Sequence, residues 1–275
     1  MTTPPSPAPR QPVTGWQRRV VIWLDKLIYR FARRWLLLFN LFVAVYVGLP
    51  MLAPALMVSG ATGPANVIYT LYRPMCHQMA SRSFFLFGEQ LAYPRANVDT
   101  SLTPLDAYIP QLPEFASYSG DIRDLNTFLG PARAFKGNPQ MGYKMALCER
   151  DIAIYGFVLV GGLVYGLLRR RFPIKPLPLW GFVLLGLAPI GLDGFSQLFS
   201  YFFARPLGVP WLDSLIPILQ QIFPLRESPP WLRTLTGGLF GFSLVWLAYP
   251  QIEPGMRDTA NQLAAKLRRV GAIND

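Results

Sequence analysis

"WLLLFNLFVAVYVGLPMLAPALMVS", residues 35–59, contains no charged side chain. A helix rises about 1.5 Å per residue, so a run this long crosses the roughly 30 Å hydrocarbon core of a bilayer. Three more apolar blocks follow: "IAIYGFVLVGGLVYGLL" (152–168), "LPLWGFVLLGLAPIGLDGFSQLFSYFFA" (177–204) and "TLTGGLFGFSLVWLAYP" (234–250). The first and last of these three are short for a span. With 52% hydrophobic and only 15% charged residues, the pattern excludes a soluble globular protein. The expected fold class is an all-α integral membrane protein with about four transmembrane helices, near 36–59, 152–168, 178–203 and 234–250. A small extracytoplasmic cap with a short β-hairpin completes it.

The flanking segments have their own character. Residues 1–15, "MTTPPSPAPRQPVTG", lack the apolar core of a signal peptide and read as a disordered tail, so the first span serves as its own signal anchor. In 16–35, Val20, Trp23, Leu24, Leu27, Ile28, Phe31 and Trp35 recur at helical spacing with basic residues between them. That pattern suits a basic interfacial helix in the cytoplasmic headgroup layer, or a helix packing on a partner subunit. The membrane domain is expected over 36–250 and a basic tail over 251–275.

Four spans put both termini on one side of the membrane. Arg10, Arg18, Arg19, Lys26, Arg30, Arg33 and Arg34 precede the first span, "RRRFPIKP" (169–176) joins the second to the third, and Arg257, Lys266, Arg268 and Arg269 follow the fourth. The formal net charge of +11 therefore belongs to the terminal side. The positive-inside rule makes that side cytoplasmic and turns the cap, residues 60–151, towards the periplasm or cell exterior. These charges hug span ends and accompany no nucleic-acid-binding motif, so nucleic acid is excluded as a partner. The expected partners are the lipid bilayer of the cell membrane and subunits of a membrane complex.

Within the cap, "PANVIYTLYRPMCHQMASRS" reads as a short helix leading to Cys76 and His77. "SFFLFGEQLAY" reads as a strand turning at Gly88, and "MGYKMALCER" as the strand that returns to the membrane. Residues 92–140 between them form an inserted lobe rich in Pro, Gly, Asp and Tyr, with at most one short helix near Asp121–Leu129. A loop that long without regular structure is functional or disordered.

"CHQMASRSFFLFGEQL", "MALCERDIAIY", "LDGFSQ" and "RESPPWLRTLTGGLFG" occur in that order. In these motifs the chain resembles the prokaryotic membrane proteins catalogued as domain of unknown function 2085, over most of residues 66–250. The resemblance implies a membrane location and no particular activity. The family pattern continues its second motif as Cys-x-Arg-Cys-x-Gly-Ile-Tyr, whereas this chain has Cys148, Arg150, Asp151, Ala153, Ile154 and Tyr155. Asp151 thus stands where the family has a cysteine, and the lobe separates strands that the family joins closely.

Two constellations carry chemistry. Cys76, His77, Cys148 and Asp151 offer thiolate, imidazole and carboxylate ligands that complete a tetrahedral zinc shell, and the i,i+3 spacing of Cys148 and Asp151 lets both point one way. Adjacent ligands such as Cys76 and His77 diverge on a helix. A Cys76–Cys148 disulfide in an oxidising compartment, or two free thiols, accounts for the cysteines equally simply. The second constellation centres on Asp193, which lies inside an apolar block with Ser196 and Gln197 on its face. An ionisable group there costs a few kcal/mol and faces the bundle interior. Its expected partners are Arg226 and Arg233 of "RESPPWLR", then Arg82 and Arg150, with Glu227 beside them. That set is either a polar site for a headgroup, ion or proton, or a buried ion pair holding spans three and four together.

Other features build the bundle. Gly162-x-x-x-Gly166 and Gly237-x-x-x-Gly241 permit close helix approach. Pro50, Pro54 and Pro189 are expected to kink their spans. In 211–223, Leu212, Leu215, Ile216, Leu219 and Phe223 form one apolar helical face suited to the membrane surface. No Walker, HExxH or GxSxG motif occurs, so whether the chain is an enzyme stays open. Three functional readings remain: a scaffold or accessory subunit using its cap, an enzyme or carrier for a lipid headgroup or ion using Asp193 and the arginines, and an extracytoplasmic metal or thiol-redox site.

Overall fold

A computed structural model describes residues 15–274; the expected tail, apart from Gly15, lies outside the described residues. The chain is mostly helical, and three helices are long and apolar enough to cross a membrane: Gly15–Val58, Glu149–Leu168 and Leu179–Phe202. These correspond to the first three expected spans. The fourth apolar block lies within α9 (Pro230–Arg269) but is not among the three, because glycines and threonines dilute it and charged residues lie close to either end.

Two compact units divide the chain. The first consists of the described parts of 1–39 and 251–275. Here the start of α1 (Gly15–Val58) meets the end of α9. Asp25 pairs with Lys266 at 2.7 Å, and Trp35 Nε1 donates to Glu253 Oε2 at 2.9 Å. Ala32, Trp35, Leu36 and Leu267 are buried. α1 breaks at Arg34 (φ −118°, ψ 16°), beside the expected junction of interfacial helix and span. Trp35, placed with the apolar face by its spacing, is instead packed inside. Val20, Trp23, Leu24, Leu27, Ile28 and Phe31 remain exposed.

The second unit, residues 40–250, holds the other elements. Pro50 and Pro54, the residues expected to kink the first span, lie inside α1 without breaking it. A proline has no N–H, so each leaves the carbonyl four residues earlier without its helical donor. Tyr46 O accepts the Tyr72 hydroxyl at 2.7 Å, and Pro50 O accepts Ala146 N–H at 3.2 Å. The two prolines thereby create the seats on which α2 (Thr62–Tyr72) and the returning strand rest. Ahead of Pro189, a π turn (Val183–Leu187) joins α5 (Leu179–Phe182) to α6 (Ala188–Phe202).

The expected hairpin exists in abbreviated form. β1 (Phe85–Leu86) pairs antiparallel with β3 (Gly142–Lys144), with Phe85 opposite Lys144, and β2 (Gly137–Asn138) adds on the far side of β3. The turn at Gly88 passes so close to the returning chain that a Cβ there would lie 2.1 Å from the Met141 carbonyl carbon. Residues 92–140 are not a structureless loop. Tyr93, Leu105, Leu112, Phe115, Phe128, Ala132, Phe135 and Met141 form a buried core with Met79, Ala80 and Phe85. Within it Arg95 is stacked 3.8 Å from the Phe128 ring centre and bonded to Asp106. The lobe's helix is α3 (Leu125–Ala134), capped by Asp124, and begins later than expected.

α4 (Glu149–Leu168) carries the chain back into the bundle. It packs against α9 through Gly237 and Gly241, where an added Cβ would lie 2.7 Å from Arg150 O and 2.2 Å from Ile154 O. On α4, Gly161 faces Val245 of α9, while Gly162 faces Asn40 of α1 and Tyr249 of α9. The segment 211–223 is split into α7 (Pro210–Asp213) and α8 (Ile216–Ile222), a break in the single helix expected. Ile216 is buried while Leu215, Ile218 and Ile222 are exposed.

Candidate functional site

The site begins where α2 ends. Beyond Tyr72 the chain turns inward to bury Cys76, then reverses at Gln78, a non-glycine residue with φ +51°. Such a conformation costs on the order of 1 kcal/mol for an ordinary side chain. Three hydrogen bonds hold it: Gln78 Nε2 donates to Tyr69 O and Ala146 O, each at 2.9 Å, and Gln78 O accepts Lys144 Nζ at 2.6 Å. The reversal turns the Gln78 N–H back onto Cys76 Sγ at 3.4 Å, while Cys148 N–H approaches the same sulfur at 3.3 Å. Cys148 is the N-cap of α4, so its N–H lies at the positive end of that helix.

Around this sulfur the expected ligands gather in part. Cys148 Sγ lies 3.1 Å from Asp151 Oδ2, and the ligand atoms of Cys76, Cys148 and Asp151 all lie within 4.8 Å of one another. Both cysteines are free thiols. The Cys148 thiol beside it, helped by the Gln78 N–H, holds Cys76 below the ordinary thiol range despite burial. The same neighbour, with burial, pushes Cys148 well above it. Of the two, Cys76 is the thiol that ionises more readily.

His77 departs from the expected set. Its side chain is exposed and does not belong to the clustered ligand atoms. Its own backbone carbonyl is held by Arg133 Nε at 2.9 Å. The cause is local: once Cys76 points inward, its neighbour points outward, and the Gln78 reversal leaves no second turn to bring it back.

The second constellation is a network of charges at the same ends of α4, α6 and α9. Asp193 Oδ2 accepts Arg150 at 2.5 Å and Asp193 Oδ1 accepts Arg226 at 3.1 Å. Ser228 Oγ donates to Asp193 Oδ1 at 2.5 Å and bonds Gln197 Oε1 at 2.9 Å, while Arg226 also reaches the Ser196 hydroxyl. Arg233, expected near Asp193, instead bonds Glu149 at 3.1 Å and also pairs with Glu227. Arg82 grips Glu227 with two hydrogen bonds, 2.6 and 3.1 Å. These arginines hold Glu227, fully enclosed, down at about 2 against the cost of its burial. Each of the four arginines therefore holds a carboxylate already, and the strongest role of the network is to lock three helices and the 80–82 turn together.

One cavity of about 260 Å³ joins the two constellations, lined among others by Cys76, His77, Cys148, Asp151, Arg82 and Gln197. Gln197 is buried, and its Nε2 has no hydrogen-bond partner among the described residues. Sequence reading missed Glu149, Ser228, Gln78 and Lys144. Glu149 and Ser228 sit inside recognised motifs, so their signal was present. Lys144 stood out only as a lone cation in "GYKMAL". Its Nζ donates to the Gln78, Ala132 and Arg133 carbonyls, and burial pushes it down to about 7. Gln78 stood inside the quoted motif beginning at Cys76, but nothing there marked its structural role.

Comparison with known proteins agrees with the membrane assignment. The chain is 24% identical over 183 residues to an uncharacterized protein of Methanocaldococcus jannaschii, covering 66% of this chain and 67% of that one. No solved structure matches. The family model described as "Predicted membrane protein (DUF2085)" matches residues 139–247, a shorter stretch than the motifs implied, which leaves Cys76, His77 and Arg82 outside it. The matched segment runs from just before β3 to the apolar part of α9 and contains Cys148, Asp151, Asp193 and Arg233.

Proposed function

We infer that this membrane protein binds a thiophilic metal ion, zinc being the candidate, at Cys76, Cys148 and Asp151 on the outward face of a four-span bundle. The observation that carries the reading is the Cys76 sulfur: two backbone N–H groups point at it, and a thiol and a carboxylate lie within 4.8 Å. N–H donors stabilise a thiolate, the form that ligates metal. Zinc bonds of about 2.0–2.3 Å place tetrahedral ligands about 3.5 Å apart, which this cluster reaches with small side-chain shifts. Three protein ligands leave a fourth position towards the cavity, open to water or a ligand, as in zinc sites that do chemistry. The arginine–carboxylate network supports this site by fixing Arg150, the residue next to Asp151. The outward orientation rests on the basic residues at the opposite span ends.

The accessory-subunit reading draws on a different feature, the exposed apolar face from Val20 to Phe31, which suits a partner helix or the membrane surface. One purification in mild detergent tests both. Elemental analysis is expected to find about one zinc per chain, with both thiols slow to react until a chelator is added. Cys148→Ser and Asp151→Ala are expected to reduce zinc retention at least about tenfold. Two oxidised cysteines without metal would sink the metal reading, and a stoichiometric co-purifying subunit would favour the accessory one.

A further inference from the structure

A second, larger cavity of about 530 Å³ lies between α2 and α3, lined by Tyr69, Thr70, Arg73, Leu129, Arg133 and Lys136 among others. Its charge is one-sided, for no carboxylate lines it. Arg82, Arg95, Arg150, Arg205, Arg226 and Arg233 each hold an acidic partner. The three cations here hold none among the described residues. Arg133 bonds only a carbonyl, that of His77 at 2.9 Å. Lys136 bonds the Asn66 amide oxygen at 2.6 Å, its ammonium 5.5 Å from the Tyr69 ring centre. Arg73 is exposed, and its guanidinium makes no hydrogen bond or ion pair among the described residues. Three converging cations left with neutral acceptors or with none repel one another unless an anion joins them.

The depth of the cavity narrows the anion. α2 starts at Thr62, just after α1 ends at Val58, and folds back along it, the Tyr72 hydroxyl reaching Tyr46 O, so the cavity at its far end lies beside the first apolar span, where lipid packs against the protein. Val67, Leu71 and Met75 are strongly exposed along α2 and its end, giving the rim an apolar stripe beside the cations. Such a pairing fits a lipid, whose phosphate meets arginine and lysine while its chains meet the stripe. The missing carboxylate matters again, because nothing is present to receive the ammonium of a choline or ethanolamine headgroup.

We propose that this cavity binds the phosphate of a net-anionic phospholipid, with Arg73, Arg133 and Lys136 as its donors. The site is separate from the thiol cluster, and its test does not depend on metal. Full-length protein is reconstituted with phosphatidylcholine and phosphatidylglycerol, and the lipids retained after transfer to detergent are measured by native mass spectrometry. Phosphatidylglycerol is expected to be retained in preference to phosphatidylcholine. Arg73→Gln and Lys136→Gln are each expected to weaken retention about fivefold, the effect of about 1 kcal/mol per cation near a membrane surface. Neither side chain builds the thiol site, so an unchanged detergent melting temperature and unchanged thiol reactivity verify the fold of each variant. Equal retention of phosphatidylcholine would overturn the proposal, as would full retention by the double variant. Displacement of the lipid by millimolar inorganic phosphate would reassign the cavity to a soluble anion and overturn it as well.

Discussion

Gln78 and Glu227 show how much of this molecule depends on single side chains. Gln78 holds a left-handed turn with its amide and so aims an N–H at Cys76. Glu227 neutralises both Arg82 and Arg233. Its folded value of about 2 lies below the ordinary 4.5, so it binds its proton less readily folded than unfolded. Its stabilisation is therefore fully present above about pH 4.5 and is lost as pH falls towards about 2, an effect of about 3 kcal/mol. The melting temperature of the detergent-solubilised protein is expected to drop steeply across that window. Glu227→Gln is expected to melt lower at neutral pH, because Arg82 loses its carboxylate and the buried Arg233 keeps only Glu149, and to show a flatter acid limb. A variant whose acid limb matches the native one would show that other carboxylates set it.

Among the elements, α4 and α9 meet backbone to backbone. Gly237 and Gly241 bring the α9 backbone against Arg150 O and Ile154 O, and that contact places Arg233 beside Glu149. Gly241→Leu is expected to separate the helices and destabilise the protein by several kcal/mol, since backbone cannot yield as a side chain can. Gly156→Ala, on α4 with open space where its Cβ would sit, is expected to be neutral or stabilising by up to about 1 kcal/mol. Thermal melts of the two variants decide the matter, and equal losses would contradict the packing. The Gly-x-x-x-Gly spacing in α9 was legible because small residues at i and i+4 share one helix face. The use of Pro50 and Pro54 was not, since a proline marks which carbonyl is freed and not which donor finds it.

For the molecule as a membrane protein, the open quantity is the number of crossings. Three helices qualify by length and apolarity, and the charge pattern calls for a fourth crossing in α9, which would return the C-terminus to the basic side. Single cysteines on a background lacking Cys76 and Cys148 test this. Ser101→Cys in the lobe is expected to react with a membrane-impermeant maleimide in intact cells, and Asn274→Cys only after lysis. Labelling at both positions would mean three crossings, and labelling at Asn274 alone would invert the protein.

By itself the sequence determined the class of the protein. An uncharged run of membrane-spanning length has few other stable environments, and four ordered motifs carried the family resemblance. It also named most of the chemically active side chains, because cysteines and buried charges are conspicuous in an apolar chain. Only the tertiary structure decided how they pair. Asp193 took Arg150 and Arg226, while Arg233 went to Glu149 and Glu227. It also moved His77 out of the ligand cluster, brought Gln78 and Lys144 in behind the site, and gave the lobe a core of its own. The reason is physical: composition and periodicity report which environment a residue needs, whereas partner choice depends on distances set by turns, freed carbonyls and glycine contacts far apart along the chain.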